Sequence, residues 1–67
     1  MNCKVQLNGK NNELVEFDIN LKQLEDGDTS ELYDTLCGLF PENTWEDICC
    51  DSIEYYDNYV MCFVSVF

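Results

Sequence analysis

The sequence has no histidine and no arginine, and its only basic residues are Lys4, Lys10 and Lys22. Without histidine the chain lacks the usual general base, and neither a Cys–His nor a Ser–His pair can form. Without arginine it lacks the planar group that holds a phosphate or carboxylate at two points. No glycine-rich phosphate loop occurs either. We therefore expect a protein that is not an enzyme.

Further absences bear on location and cofactors. No charged segment followed by an apolar core begins the sequence, so no signal peptide is recognised. No apolar run approaches the roughly 20 residues that a membrane-spanning helix needs. The five cysteines are odd in number, contain no C-x-x-C pair and have no histidine to join them, which favours buried free thiols over disulfides or a zinc site. We expect a cytoplasmic protein with no metal, no cofactor and no membrane contact.

Acidic residues are present in large excess. Fourteen acids against three lysines give a net charge of −11 at pH 7. Residues 1–22 are balanced, whereas residues 23–67 contain eleven acids and no base: Glu25, Asp26, Asp28, Glu31, Asp34, Glu42, Glu46, Asp47, Asp51, Glu54 and Asp57. Solubility requires a net charge of only about 2–8 in a small domain, and charge of one sign opposes folding by self-repulsion. We interpret the eleven acids as a surface that binds a basic partner; the alternative is that they only solvate the protein.

Alternating apolar and polar residues predict a β-hairpin at the start of the chain. Residues 3–8 and residues 14–21 each alternate with the period of two that is typical of a half-buried strand. The intervening stretch, Asn-Gly-Lys-Asn-Asn at 8–12, supplies residues that tolerate the backbone angles of a tight turn. With 67 residues, the chain is long enough for a single domain, residues 1–67.

One helix is predicted over about 29–39. A buried apolar stripe at helical spacing is formed by Leu32, Leu36, Leu39 and Phe40, and the element is ended by Gly38 and Pro41. Asp28 or Thr29 can cap its start, and Asp28 with Glu31 has the spacing of a capping box. Residues 42–47 are predicted to form an irregular or one-turn helical connection.

A second hairpin is predicted from residues 48–56 and 59–67. In its first strand, the alternation predicts Cys49, Asp51, Ile53 and Tyr55 on one face. Its second strand is apolar on both faces apart from Ser65, which is typical of a central strand. The order β-β-α-β-β predicts an α+β fold with a four-stranded antiparallel sheet and one helix packed on one face. Aromatic neighbours or a second copy of the chain, as in a homodimer, would cover the other face of the last strand.

Three aromatic residues lie among the acids: Trp45, Tyr55 and Tyr56. Tyrosine and tryptophan are enriched among the residues that dominate binding energy, so we treat these three as candidate anchors. For the tyrosines, cross-strand packing beside the hairpin turn explains their position equally well. Direct binding to nucleic acid is disfavoured, because that affinity comes first from cations that contact phosphates.

Carboxylates fixed on a folded scaffold can present an array of charge comparable to DNA phosphates. In size, charge and architecture the chain resembles small acidic proteins of phages and mobile elements that block host defence nucleases, including anti-CRISPR and anti-restriction proteins. This resemblance transfers no site residue. The leading hypothesis is a DNA mimic that blocks the nucleic-acid-binding channel of a nuclease complex in the cytoplasm of a bacterial host. The alternatives are an immunity or antitoxin-like protein that neutralises one basic toxin nuclease, and a non-inhibitory acidic adaptor subunit.

Overall fold

A computed structural model describes residues 1–10 and 12–67. Asn11, which belongs to the predicted turn of the first hairpin, lies outside the described residues. The described elements follow in this order: β1 (Asn2–Gly9), β2 (Glu13–Asp18), α1 (Leu21–Glu25), α2 (Ser30–Leu39), a 3-10 helix (Trp45–Asp47), β3 (Ile48–Tyr55) and β4 (Tyr59–Val66). The predicted α+β class is confirmed, and the two hairpins flank the helical segment.

The sheet is mixed, so the prediction of a wholly antiparallel sheet is wrong. Its strand order is β2-β1-β4-β3, and each hairpin is antiparallel within itself. At the centre, however, β1 and β4 pair in parallel. The chain leaves β2 at one edge, passes through the helices and returns as β3 at the other edge. This crossover brings β4 beside β1 in the same direction.

The strand β4 is central in the sheet, as its apolar sequence predicts. Its residues Val60, Cys62 and Val64 are buried on the face that the helices cover, which we call the inner face. Residues Met61 and Phe63 alternate with them on the opposite, outer face and are only partly buried. The strand therefore presents apolar side chains to both sides of the sheet.

The structure contains α1 in addition to α2, so the prediction of one helix is also wrong. Ile19 and Leu21 continue the alternation of β2 in the sequence, but the strand ends at Asp18. Asn20 instead caps α1, because its side-chain oxygen accepts hydrogen bonds from two backbone N–H groups of the first turn at 3.1 and 3.4 Å. Ile19 and Leu24 are both buried in the core. Within the described residues, no helix is long and apolar enough to cross a membrane.

The helix α2 supplies the largest side chains that cover the inner face. Leu32 and Leu36 are fully buried against the strands. Two details of the prediction are wrong, since Leu39 of the predicted buried stripe is 50% exposed and Gly38 lies within the helix instead of ending it. The predicted capping box at its start is wrong, since Asp28 accepts a hydrogen bond from the Ser30 amide at 3.0 Å and Glu31 points elsewhere. The Glu31 carboxylate accepts from the backbone N–H of Asn20 at 3.1 Å. It thereby joins the start of α2 to the start of α1.

A bulge in β3 changes which residues face the helices. The register shifts between Cys50 and Ser52, so that Asp51 is an extra residue in the strand. Cys49 pairs with Ser65 on the outer face, whereas Ile53 pairs with the buried Cys62 on the inner face. The prediction that Cys49, Asp51, Ile53 and Tyr55 share one face is therefore wrong, because one inserted residue reverses a period of two.

We expect Gly9→Ala to lower the free energy of unfolding by about 1–3 kcal/mol. Gly9 has a φ of 110°, and a Cβ there would collide with the carbonyl oxygen of Val66 on the paired strand β4. Gly38 is the matched control, since it lies within α2 with open space around it. Gly38→Ala should raise stability by about 0.5–1 kcal/mol. Urea denaturation followed by circular dichroism measures both, and wild-type stability of the Gly9 variant would contradict this close approach of β1 and β4.

Candidate acidic binding surface

The eleven acids of residues 23–67, which we call the acidic surface, all reach solvent. Nine are exposed, and two, Glu31 and Asp47, are partly exposed. Burying a carboxylate without a cationic partner costs several kcal/mol, and this part of the chain contains no cation. The fold therefore has to place every one of these side chains where water can solvate it.

The acidic surface extends over both sides of the sheet. Eight of its members lie on the segment that connects β2 to β3 and covers the inner face: Glu25, Asp26, Asp28, Glu31, Asp34, Glu42, Glu46 and Asp47. Asp51 and Glu54 lie on β3 with their side chains at the outer face, and Asp57 lies in the turn that leads to β4. The domain thus carries negative charge around its circumference rather than in one patch.

No member of the acidic surface has a cationic partner among residues 1–10 and 12–67. The one ion pair in this part of the chain joins Lys4 Nζ to Glu16 Oε1 at 3.8 Å, at the other end of the sequence. The same ammonium group lies 4.5 Å from the ring centroid of Tyr59. The negative charge of the acidic surface is consequently available to an external partner.

Three carboxylates of the acidic surface are held by backbone donors at the starts of helices. Asp28 and Glu31 accept from the amides described above, and hydrogen bonding from Ser30 lowers the pKa of Asp28. Asp47 accepts from the amide of Thr44 at 2.7 Å and from its hydroxyl at 3.2 Å, which forms a capping box on the 3-10 helix. These neutral donors fix the position of each charge without cancelling it.

Three further carboxylates are held by side-chain donors. Asp34 accepts from the indole N–H of Trp45 at 3.2 Å. Glu54 accepts from the hydroxyl of Tyr56 at 3.2 Å, and Asp51 accepts from the hydroxyl of Ser65. In total, six of the eleven charges are fixed by hydrogen bonds. The other five accept no side-chain hydrogen bond from the described residues: Glu25, Asp26, Glu42, Glu46 and Asp57.

The structure places Trp45 among acids and fixes its ring. The ring packs edge-on against Tyr33 with centroids 5.4 Å apart, and the Tyr33 hydroxyl accepts from the Cys50 amide of β3 at 3.0 Å. Burial and the charges of Asp34 and Asp47 raise the pKa of the neighbouring Cys37 thiol. The indole is still 48% exposed. Trp45 is thus a fixed, half-exposed aromatic ring in a negative environment, which suits an anchor for a basic partner.

The two candidate tyrosines point to opposite sides of the sheet and do not form one cluster with Trp45. Tyr55 extends on the inner side, where its hydroxyl donates to the carbonyl of Leu24 at 3.5 Å. Burial and the charge of Glu25 raise its pKa. Tyr56 stacks on Tyr59 with ring centroids 4.8 Å apart, and this stack belongs to the outer face. The stack of Tyr56 on Tyr59 agrees with the predicted packing beside the turn, and the anchor role of Tyr55 and Tyr56 stays a prediction.

The described residues contain neither an enclosed pocket nor a group of three or more side chains that could hold a metal ion. The thiols of Cys3 and Cys62 lie 3.7 Å apart within the core, where the hydrogen bond between them and burial raise the pKa of Cys62. Burial raises the pKa of Cys50, on the same face, to about 11. The Cys62 and Cys50 thiols are therefore neutral near pH 7 and act as small apolar side chains.

The outer face of the sheet contains exposed and partly exposed apolar residues that are not among the candidate site residues predicted from the sequence. Leu14 on β2 is 52% exposed, and Met61 and Phe63 on β4, which β1 separates from β2, are partly exposed. The signal in the sequence was that β4 has apolar residues at consecutive positions, whereas apolar and polar residues alternate in β1 and β3. Which strands lie beside β4 depends on the pairing order, which the sequence pattern did not provide.

We expect Glu54→Gln to lower the pKa of Tyr56 toward the usual value of about 10. The hydrogen bond to Glu54 and the charge of that carboxylate raise the pKa of Tyr56, because both favour the neutral phenol over the phenolate. Asp57→Asn removes one charge next to Tyr56 without removing a hydrogen bond, so it is the matched control. NMR of the labelled tyrosine rings across a pH titration measures both pKa values. Equal shifts in the two variants would contradict a Glu54 carboxylate that is fixed by this hydrogen bond.

No family model, no curated protein and no solved structure matches the chain. Its function has therefore to be inferred from the placement of its own side chains.

Proposed function

We propose that the protein is a small acidic inhibitor that occupies the nucleic-acid-binding surface of a nuclease complex as a mimic of DNA. The observation that supports this function is the fixed, unneutralised charge of the acidic surface. Six of its carboxylates are held by neutral donors, and none of the eleven is paired with a cation of the described chain. A basic partner would meet charges whose positions are already ordered, which reduces the entropy lost on binding.

The linear charge density supports DNA as the molecule that is mimicked. The described residues extend 31 × 19 × 18 Å, so the domain is an elongated body with a nearly round cross-section. B-DNA of 31 Å length carries about 18 phosphate charges, at one charge per about 1.7 Å of axis. The protein carries a net charge of −11 over the same length. It therefore reaches roughly three-fifths of the charge density of a duplex.

The distribution of the acids suits a channel better than a flat surface. The acidic surface lies both on the helical segment and on the outer face of β3. A basic groove that surrounds a duplex could contact both sets at once, whereas a flat surface could reach only one. Such a groove would attract the protein over long range and accelerate its association.

The partner that we propose is a DNA-cleaving defence complex of the CRISPR or restriction type, within the cytoplasm of a bacterium that a phage or mobile element has entered. The support for this finer assignment is the resemblance in size, charge and architecture described above. The proposed mechanism is competitive occlusion, in which the protein and target DNA cannot occupy the channel together.

The decisive experiment is competition with DNA. Immobilised protein would be exposed to a bacterial lysate, and retained proteins would be eluted with double-stranded DNA at constant ionic strength. We expect DNA to displace a nuclease complex whose cleavage activity and DNA binding the free protein inhibits. The proposal is wrong if the complex binds protein and target DNA simultaneously and still cleaves. Retention of one toxin nuclease that is blocked at its active site, without displacement by DNA, would instead favour an immunity-type function.

We expect the double variant Glu42→Lys/Glu46→Lys to weaken binding to the retained complex at least about tenfold, because surface charges act together on association. Both carboxylates are exposed and make no side-chain hydrogen bond with the described residues, so the fold should be unaffected. The dependence of log Kd on log salt should also become shallower. Lys22→Glu is the control of opposite sign, and it should bind as tightly as wild type or more tightly. Kd measured by biolayer interferometry over a salt series tests this, and equal salt slopes for wild type and double variant would refute it.

A further inference from the structure

In the described part of the chain, no helix lies over the outer face of the sheet. Strand pairing places its central side chains in two rows that run across all four described strands: Glu16–Lys4–Met61–Glu54 and Leu14–Gln6–Phe63–Ser52. Neighbouring strands lie about 4.8 Å apart. The rows therefore span the whole width of the sheet and define the surface that this face offers.

The centre of the outer face is an apolar strip along β4. Met61 and Phe63 lie in the strip, and the stacked rings of Tyr56 and Tyr59 extend it at one end. Gln6 separates Phe63 from the exposed Leu14, but its side-chain amide donates to the backbone carbonyl of the next residue at 3.1 Å. This hydrogen bond holds the amide of Gln6 against its own strand.

The border of the strip is acidic on both sides. Glu16 and Asp18 lie on β2, and Asp51 and Glu54 lie on β3. Lys4 is the cation of this face, and its ammonium group is already paired with Glu16. An apolar centre within a charged border is the arrangement of a protein–protein interface.

We infer that the outer face is the docking surface for a cationic segment of the partner that carries apolar side chains between its lysines or arginines. This inference rests on the proposed function, since it specifies which face meets the basic channel. Charge complementarity supports this occupant, because four carboxylates border the strip. A duplex offers phosphates to such a channel but no comparable apolar strip, so this face would add an interaction that DNA does not make.

A second copy of the chain fits the outer face less well. Two copies packed face to face would bring the four bordering carboxylates of each against those of the other. Each face has one ammonium group to offset them, and that group is already engaged. Like charges brought together in an interface cost several kcal/mol. The charge of this face therefore favours a basic partner over the homodimer.

The test uses two short synthetic peptides that contain the same number of lysines. One carries serine at the intervening positions, and the other carries leucine and tryptophan. We expect the wild-type protein to bind the apolar peptide at least about tenfold more tightly, since burying one large apolar side chain is sufficient for that ratio. Amide shift mapping on the wild-type protein should place the additional contacts at Leu14, Met61 and Phe63.

Leu14→Arg and Leu39→Arg form a matched pair of variants. Both replace a half-exposed leucine, 52% and 50% exposed, by the same cation, but Leu14 lies on the outer face and Leu39 lies on α2. The ratio of the two peptide affinities cancels the common change in charge. We expect this ratio to fall nearly to one in the Leu14 variant and to be retained in the Leu39 variant.

Three results would overturn the inference. They are equal affinities of the two peptides for the wild-type protein, loss of the ratio in the Leu39 variant instead, and shifts confined to α2. A dimer in analytical ultracentrifugation that Leu14→Arg converts to a monomer would assign the face to a second copy. These outcomes do not decide the proposed function. The proposed function is wrong if DNA does not compete with the protein for the nuclease complex, whatever the ratio of the two peptide affinities is.

Discussion

The constraint on which this structure depends is that the chain has almost no cations with which to neutralise its carboxylates. Every acid has to lie where water solvates it, because an unpaired buried carboxylate would exceed the small stability margin of a 67-residue domain. The fold satisfies this constraint by using acids where backbone donors are exposed. Asp28 and Asp47 accept from amides at helix starts, where the helix dipole also favours negative charge. The same carboxylates therefore cap the helices and provide charge at fixed positions.

The second feature that shapes the molecule is the parallel pairing of β1 with β4 at the centre of the sheet. Both strands need apolar inner faces, and α2 covers them with Leu32 and Leu36. Within residues 1–10 and 12–67 the helices lie on this one side of the sheet, and no helix covers the other side. The apolar strip along β4 is a direct result, because its side chains alternate between a covered face and a free one. The same strand thus links the core to the outer face.

Local patterns in the sequence were sufficient for the strands, the main helix and the central position of β4, since each depends on spacing within a short segment. The predictions from local patterns were wrong where one residue is compatible with two kinds of structure. Asn20 can continue an alternating strand or cap a helix, and in the structure it caps α1, whose residue Leu24 is buried. Asp51 looks like an ordinary strand residue until its pairing with β4 shows the bulge. The parallel pairing could not be read from the sequence at all, because two hairpins joined by a helix have the same local pattern in either arrangement. The acidic surface was recognisable from composition, whereas the hydrogen bonds that fix six of its members depend on contacts across the chain.

Under the proposed function, the two kinds of surface would act at different distances. Carboxylates attract a basic groove over about 8 Å at physiological ionic strength, before any contact is made. Apolar side chains contribute only after water has been removed between them and the partner. The acidic surface would therefore govern the rate of capture and would serve for any strongly basic groove. The apolar strip would govern the rate of release, and so would determine which captured partner is retained. Charge alone cannot make that distinction, because one basic groove attracts the domain much as another does.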